Sequence, residues 1–190
     1  MDDLERQQED PSVLLDASLA SDEQAEPSPT RKEMKERPLL STADALQAIE
    51  RGELIQNVQI HRLHLRGNFS KAIRFRNVVL GDLVLDRAKC AKNVSFEGCL
   101  LDRPRFSPGT VFAEGLSFKG GEVKGAQFRD VTIKGSFKAQ RVHFVGRFQA
   151  VELHLEGKAQ FFDARFRAWV QWERCVFDDE ADFRSIAVEE

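Results

Sequence analysis

The stretch QFFDARFRAWVQWERCVFDDEADF, Gln160–Phe183, places large aromatics at Phe161, Phe166, Trp172, Phe177 and Phe183, with gaps of five, six, five and six. On a helix, steps of five and six residues advance the side chain by about 140° and about 240° alternately, which throws the rings onto two sides. A single long strand fails as well, because an odd gap reverses the face. A short strand followed by a corner, repeated, fits both gaps. Each unit points two residues inward, at positions n−2 and n, and turns over the residues between.

This register extends over the last third of the chain as two ladders at a strict spacing of eleven. One is Phe128, Ala139, Ala150, Phe161, Trp172 and Phe183; the other is Ile133, Phe144, Leu155, Phe166 and Phe177. Their n−2 partners are Ala126, Phe137, Phe148, Ala159, Val170 and Ala181, then Val131, Val142, Leu153, Ala164 and Cys175. All 22 positions are apolar, where composition alone gives roughly nine. Where n shrinks to Ala139 or Ala150, n−2 grows to Phe137 or Phe148, so volume is kept within each side, as a packed core requires. Upstream, Val58/Ile60, Leu63/Leu65, Ile73/Phe75, Val78/Leu80, Leu83/Leu85 and Val94/Phe96 continue the pattern. Four sides to a turn stack Phe75, Phe96, Phe118, Ala139, Phe161 and Phe183 in one column. About six turns at roughly 4.8 Å each make a rod on the order of 29 Å long.

Outside this body the composition changes. Residues 1–38 hold four of the six prolines and no aromatic; they cannot bury enough apolar surface to offset their ordering entropy, which predicts a disordered acidic tail. Residues 39–52 read as a short capping helix: Ser41 with Asp44 resembles a capping box, Leu46 and Ile49 share a face, and Gly52 suits the stop. The repeats occupy 53–190. No apolar run is long enough for a membrane helix, and the N-terminus lacks the pattern of an export signal. Three cysteines without CxxC spacing suggest neither a disulfide framework nor a zinc site. A cytoplasmic protein is the expectation.

The units AQFRD (126–130), ARFRA (164–168) and ADFRS (181–185) resemble pentapeptide-repeat proteins. That resemblance implies an all-β fold, a right-handed, four-sided parallel β-helix or solenoid, with a non-catalytic protein-interaction role. A subset of that family resembles DNA and binds gyrase by mimicry, which calls for an acidic rod. The repeated GxFxA at Gly135 and Gly146, within KGSFKAQRVHFVGRFQAVELHLEG, is similar to bactofilins, which implies a polymer-forming cytoskeletal protein as the alternative.

Charge divides the chain. Residues 1–50 carry 5 Lys and Arg against 13 Asp and Glu, residues 51–150 carry 18 against 8, and residues 151–190 carry 5 against 10. A basic rod disfavours gyrase mimicry and raises a third reading, an anionic membrane surface or nucleic-acid binder. Lys119, Lys124, Arg129 and Lys134 sit at n+1 on four successive sides and would form a girdle, not a patch on one side. His61 and His64 point outward without a carboxylate or thiol cluster, and Cys90, Cys99 and Cys175 point inward, so no metal site is expected. No catalytic motif or cofactor fingerprint is present, and no enzyme or cofactor is expected. The run Asp178, Asp179, Glu180 and Asp182 reads as an edge guard. Two aromatics break the rule and face out, Phe162 and Trp169; they are candidate interface anchors. The helix covers the first coil, whereas the last side, Ile186/Val188, meets the end of the sequence. Homodimerisation through the C-terminal coils is the expected assembly.

Overall fold

The computed structural model describes residues 36–189. Most of the tail expected to be disordered lies outside these residues. From Leu54 to Val188 the chain winds into a β-solenoid of about six turns in which every strand pairs parallel with its counterpart one turn away. On the first face Leu54–Gln56, Ile73–Arg76, Val94–Glu97, Gly115–Lys119, Ser136–Gln140, Ala159–Gln160 and Ala181–Asp182 form a seven-stranded sheet. Its register puts Ile55 on Phe75, Phe75 on Phe96, Phe96 on Phe118 and Phe118 on Ala139. The outward residues of the second face run Gln59, Val79, Leu100, Glu122, His143, Arg165 and Ala187. The third and fourth faces follow from the same winding, with Leu85 on Phe106 on Phe128 on Ala150 on Trp172, and Cys90 on Phe112 on Ile133 on Leu155 on Phe177.

The corners explain the five-residue step. Among the described residues ten other than glycine have positive φ, from 48° to 59°: Asn57, Asn77, Arg87, Arg103, Asp130, Arg141, Glu152, Asp163, Arg174 and Ser185. Each stands two positions after an inward residue on a five-residue side. One left-handed residue reverses the pleat and redirects the chain without an extra link, whereas a sixth residue supplies the link elsewhere. Left-handed backbone costs a residue with a Cβ roughly 1–2 kcal/mol. Parallel hydrogen bonding to the turns above and below offsets it.

Inside, the rings stack along the axis. Phe75, Phe96 and Phe118 lie parallel at 5.2 Å between successive centroids. At Ala139 the column loses its ring, and Phe137 from the same side fills the gap, 6.1 Å from Phe118 and 5.2 Å from Phe161. Phe183 then stacks on Phe161 at 4.9 Å. The third face repeats the device: Phe106 stacks on Phe128 at 4.4 Å, and Phe148 substitutes for the missing ring at Ala150, 5.6 Å from Phe128 and 5.1 Å from Trp172. Each such pair adds about 0.5–1.5 kcal/mol beyond area burial. Thr110 is the buried polar side chain of the interior, and its hydroxyl donates to Leu85 O at 3.1 Å.

The inward side chains are fully buried from Ile73 to Phe166, whereas Val58 and Phe69 of the first coil are half-buried and cover is lost again after Phe166. Val170, Trp172, Cys175, Phe177 and Ala181 are half-buried and Phe183 is exposed. Cys175, expected inside, is therefore only partly enclosed, because no further described coil covers it.

At the other end the helix Thr42–Arg51 lies over the first coil. Ser41 Oγ accepts from the Asp44 N–H at 3.1 Å, and Gly52 closes the helix in the left-handed conformation. Ala45 and Ile49 are its buried residues, one turn apart, while Leu46 is half-buried. Thr42 Oγ1 donates to Arg62 O at 2.7 Å, fixing the helix to the first coil. Ahead of it, the Leu40 N–H donates to Gln59 O and the Gln59 N–H to Pro38 O, at 2.8 and 2.9 Å. Arg37 and Pro38, which composition groups with the tail, are thus bonded to the solenoid.

Candidate interaction surface

The four basic residues Lys119, Lys124, Arg129 and Lys134 follow the buried Phe118, Val123, Phe128 and Ile133, one on each face of a single turn. All four are exposed. Lys119 Nζ lies 3.3 Å from Glu97, which Arg76 also holds at 2.9 Å, so this member belongs to an ion-pair ladder over three turns. Burial works to raise the Glu97 carboxyl, but the hydrogen bonds from Arg76 and Lys119 outweigh it and hold the group below its ordinary range. Charges that radiate to four sides cannot converge on one phosphate.

Phe162 and Trp169 stand at the two edges of the second face in one turn, about half-exposed at 51% and 50%. Phe162 follows inward Phe161 at the corner from the first face, and Trp169 precedes inward Val170 at the corner to the third. The Arg147 guanidinium carbon lies over the Trp169 ring, 4.5 Å from its centroid. Such an exposed cation–π contact is worth about 0.5–1 kcal/mol, and it fixes the indole as a flat, rigid surface. Between the two aromatics runs a groove lined by Arg141, His143, Asp163, Arg165, Ser185 and Ala187.

A second apolar surface closes the C-terminal end of the described chain. Val176, Phe183 and Val188 are exposed by 50%, 41% and 65%, and behind them lie the half-buried Trp172 and Phe177. Part of the acidic run is paired within the chain, while Asp179 faces no cation among the described residues and accepts only the Glu180 N–H. His154 Nε2 lies 2.6 Å from Asp178, Lys158 Nζ 3.2 Å from Glu180, and Arg167 Nε 2.8 Å from Glu189, all from the preceding turn. Asp182 is held by Arg184 at 2.7 Å, and those hydrogen bonds draw its carboxyl down to about 2. The end is apolar in the middle, with Glu180, Asp182 and Glu189 ion-paired at its margin.

Among the described residues no group of three or more His, Cys, Asp or Glu side chains is gathered for a metal. His61 is exposed, and His64 lies 3.4 Å from Asp82. Burial pushes the thiols of Cys90 and Cys99 up to about 12, which leaves them protonated and unreactive at neutral pH. No helix among the described residues is long and apolar enough to cross a membrane.

The geometry defines a β-solenoid repeat protein with two apolar surface features and an aromatic-filled interior. No protein-family model, curated protein or solved structure matches the chain. Sequence reasoning found Phe162 and Trp169 because they break the inward rule. It missed the Arg147–Trp169 stack, whose members are 22 positions apart and meet only through the turn. The ladder spacing of eleven, doubled, was the available signal.

Proposed function

We propose that this chain is a non-catalytic, pentapeptide-repeat-like β-helix that works in the cytoplasm as a protein-interaction scaffold and pairs with a second copy through its C-terminal coils. The observation that carries the reading is the end coil: Phe183 stacks on Phe161 by one face and leaves 41% of its surface open, while Glu180, Asp182 and Glu189 at its margin are paired within the chain. An exposed apolar patch whose neighbouring acids are largely engaged within the chain favours association over solvation. A twofold pairing would bring Val176, Phe183 and Val188 of one copy onto those of the other. Phe162 and Trp169, on the side of the rod, stay accessible to a different protein in that arrangement, with the indole pre-organised by Arg147.

Light scattering coupled to size exclusion, with the full chain over a wide concentration range, tests the pairing. A fixed dimer that becomes a monomer on Phe183→Asp with Val188→Asp supports it. A monomer at every concentration overturns the pairing, and mass that grows without limit overturns it in favour of a bactofilin-like polymer. Val188 is largely exposed, whereas Phe183 also stacks on Phe161, so the circular dichroism melt of the variant must first match that of the parent chain for the loss of mass to report on pairing.

A further inference from the structure

The groove on the second face is shallow and open to solvent, with a volume of about 530 Å³. Arg141 and Arg165 project into it exposed to solvent, and among the described residues neither is held by an ion pair. His143 lies between them, and Asp163 is the acid that lines the same groove. Two guanidiniums face one carboxylate on the second face, and the edges of that face carry Phe162 at one corner and Trp169, backed by Arg147, at the other. This combination suits a peptide that is acidic and carries a few apolar side chains.

The described chain begins on this face. Gln59, the outward residue of its first rung, holds Arg37 O and Pro38 O at 2.9 Å through its side-chain and main-chain N–H groups. Arg37 reaches within electrostatic range of Cys99, at the edge of the third rung. The chain therefore enters from the outside of the second face, four to six rungs from the groove residues His143, Arg165 and Ala187, a distance of about 19–29 Å at the spacing of parallel strands.

Residues 1–35 carry ten Asp and Glu against four Lys and Arg, and residues 1–30 carry nine against one. Within them Val13, Leu14, Leu15 and Leu19 lie among Asp10, Asp16 and Asp22. The ten residues from Pro27 to Glu36 span up to about 33 Å when extended, enough to bridge the interval. We propose that the groove is the docking site of this chain's own acidic N-terminal segment, residues 10–26, with carboxylates on Arg141 and Arg165 and the apolar side chains against Phe162 and Trp169. Tethering raises the local concentration of the segment to about the millimolar range, so modest contacts suffice. Where Phe162 and Trp169 anchor a partner, the segment competes for them; that consequence rests on the function proposed above, whereas the docking does not.

A spin label on Ser18→Cys tests the docking in the full chain carrying Cys175→Ser, since Cys90 and Cys99 are buried. The expected result is that the amide signals of His143, Arg165 and Ala187 lose most of their intensity at about 20 mM salt and regain it at about 0.5 M, where screening is nearly complete. Arg141→Glu with Arg165→Glu should abolish the loss. Asp10→Asn, Asp16→Asn and Asp22→Asn should abolish it too, without touching the solenoid. Undiminished signals at low salt overturn the proposal, as does a loss that survives both sets of charge changes. A loss that appears when labelled chains are mixed with separate isotope-enriched, unlabelled chains, to the same degree as within one chain, overturns the intramolecular assignment. Pairing through the end coils is read separately from the molecular mass, so the two proposals fail independently.

Discussion

Asp130 turns a corner of the third face at φ 48°, with its carbonyl accepting from the Gly109 N–H at 2.9 Å. A β-branched residue in that conformation is strongly disfavoured. Asp130→Val should therefore lower stability by about 2 kcal/mol, while Asp130→Gly should leave it unchanged or slightly raised, as read by urea denaturation. The thiols provide a second test at this scale. Cys90 and Cys99 lie at about 12 when folded, against 9 as their ordinary value. The unfolded state loses these protons first, so their contribution to stability is full below pH 9 and is lost as pH rises from there toward about 12. Alkylation at neutral pH followed by mass spectrometry should modify Cys175 in the folded protein and reach the other two only on unfolding. The corners were partly legible: Asn57 and Asn77 are residue types that accept left-handed backbone, but Arg87, Arg103, Arg141 and Arg174 have no such preference. Only the spacing of five marks them.

At the scale of the coil, inward positions were legible because size compensation between n and n−2 is written in the sequence. Ala139 beside Phe137 and Ala150 beside Phe148 predict the ring substitutions seen in the two columns. The approach of neighbouring turns was not legible. Gly135 belongs to a GxFxA unit, yet what fixes it is the main chain of the turn before: a Cβ there would lie 1.9 Å from Glu114 O. Gly135→Ala should force the two turns apart and cost about 3 kcal/mol or more, since the obstruction is backbone and cannot rotate away. Gly67, with nothing within 4 Å of a Cβ, provides the contrast. Its φ of 99° still charges Gly67→Ala a smaller backbone penalty, so the denaturation midpoint should fall less. The helix shows the same division: Ser41 and Gly52 announce its ends, but that Ala45 and Ile49 form the buried stripe depends on how the first coil meets it.

For the whole molecule, the turns act as a stack in which each contacts its neighbours, so an interior fault spreads along the axis while a surface change does not. The candidate surface was half legible for this reason. Phe162 and Trp169 stand out in the sequence as rule-breakers, whereas the groove between them is assembled from Arg141, Asp163 and Ser185 at corners of three successive turns. The end coil's partial exposure likewise arises from the order of the turns and not from any residue type. The solenoid stands on the alternation of inward and outward residues, and two adjacent phenylalanines test it. Phe161 is fully buried and Phe162 is 51% exposed. Thermal unfolding of Phe161→Asp and Phe162→Asp, followed by circular dichroism, should show the first without a cooperative transition, because it buries a charge that has no partner. The second should melt within a few degrees of the parent chain. Equal melting of the two variants, or loss of the fold in Phe162→Asp alone, would contradict the solenoid register.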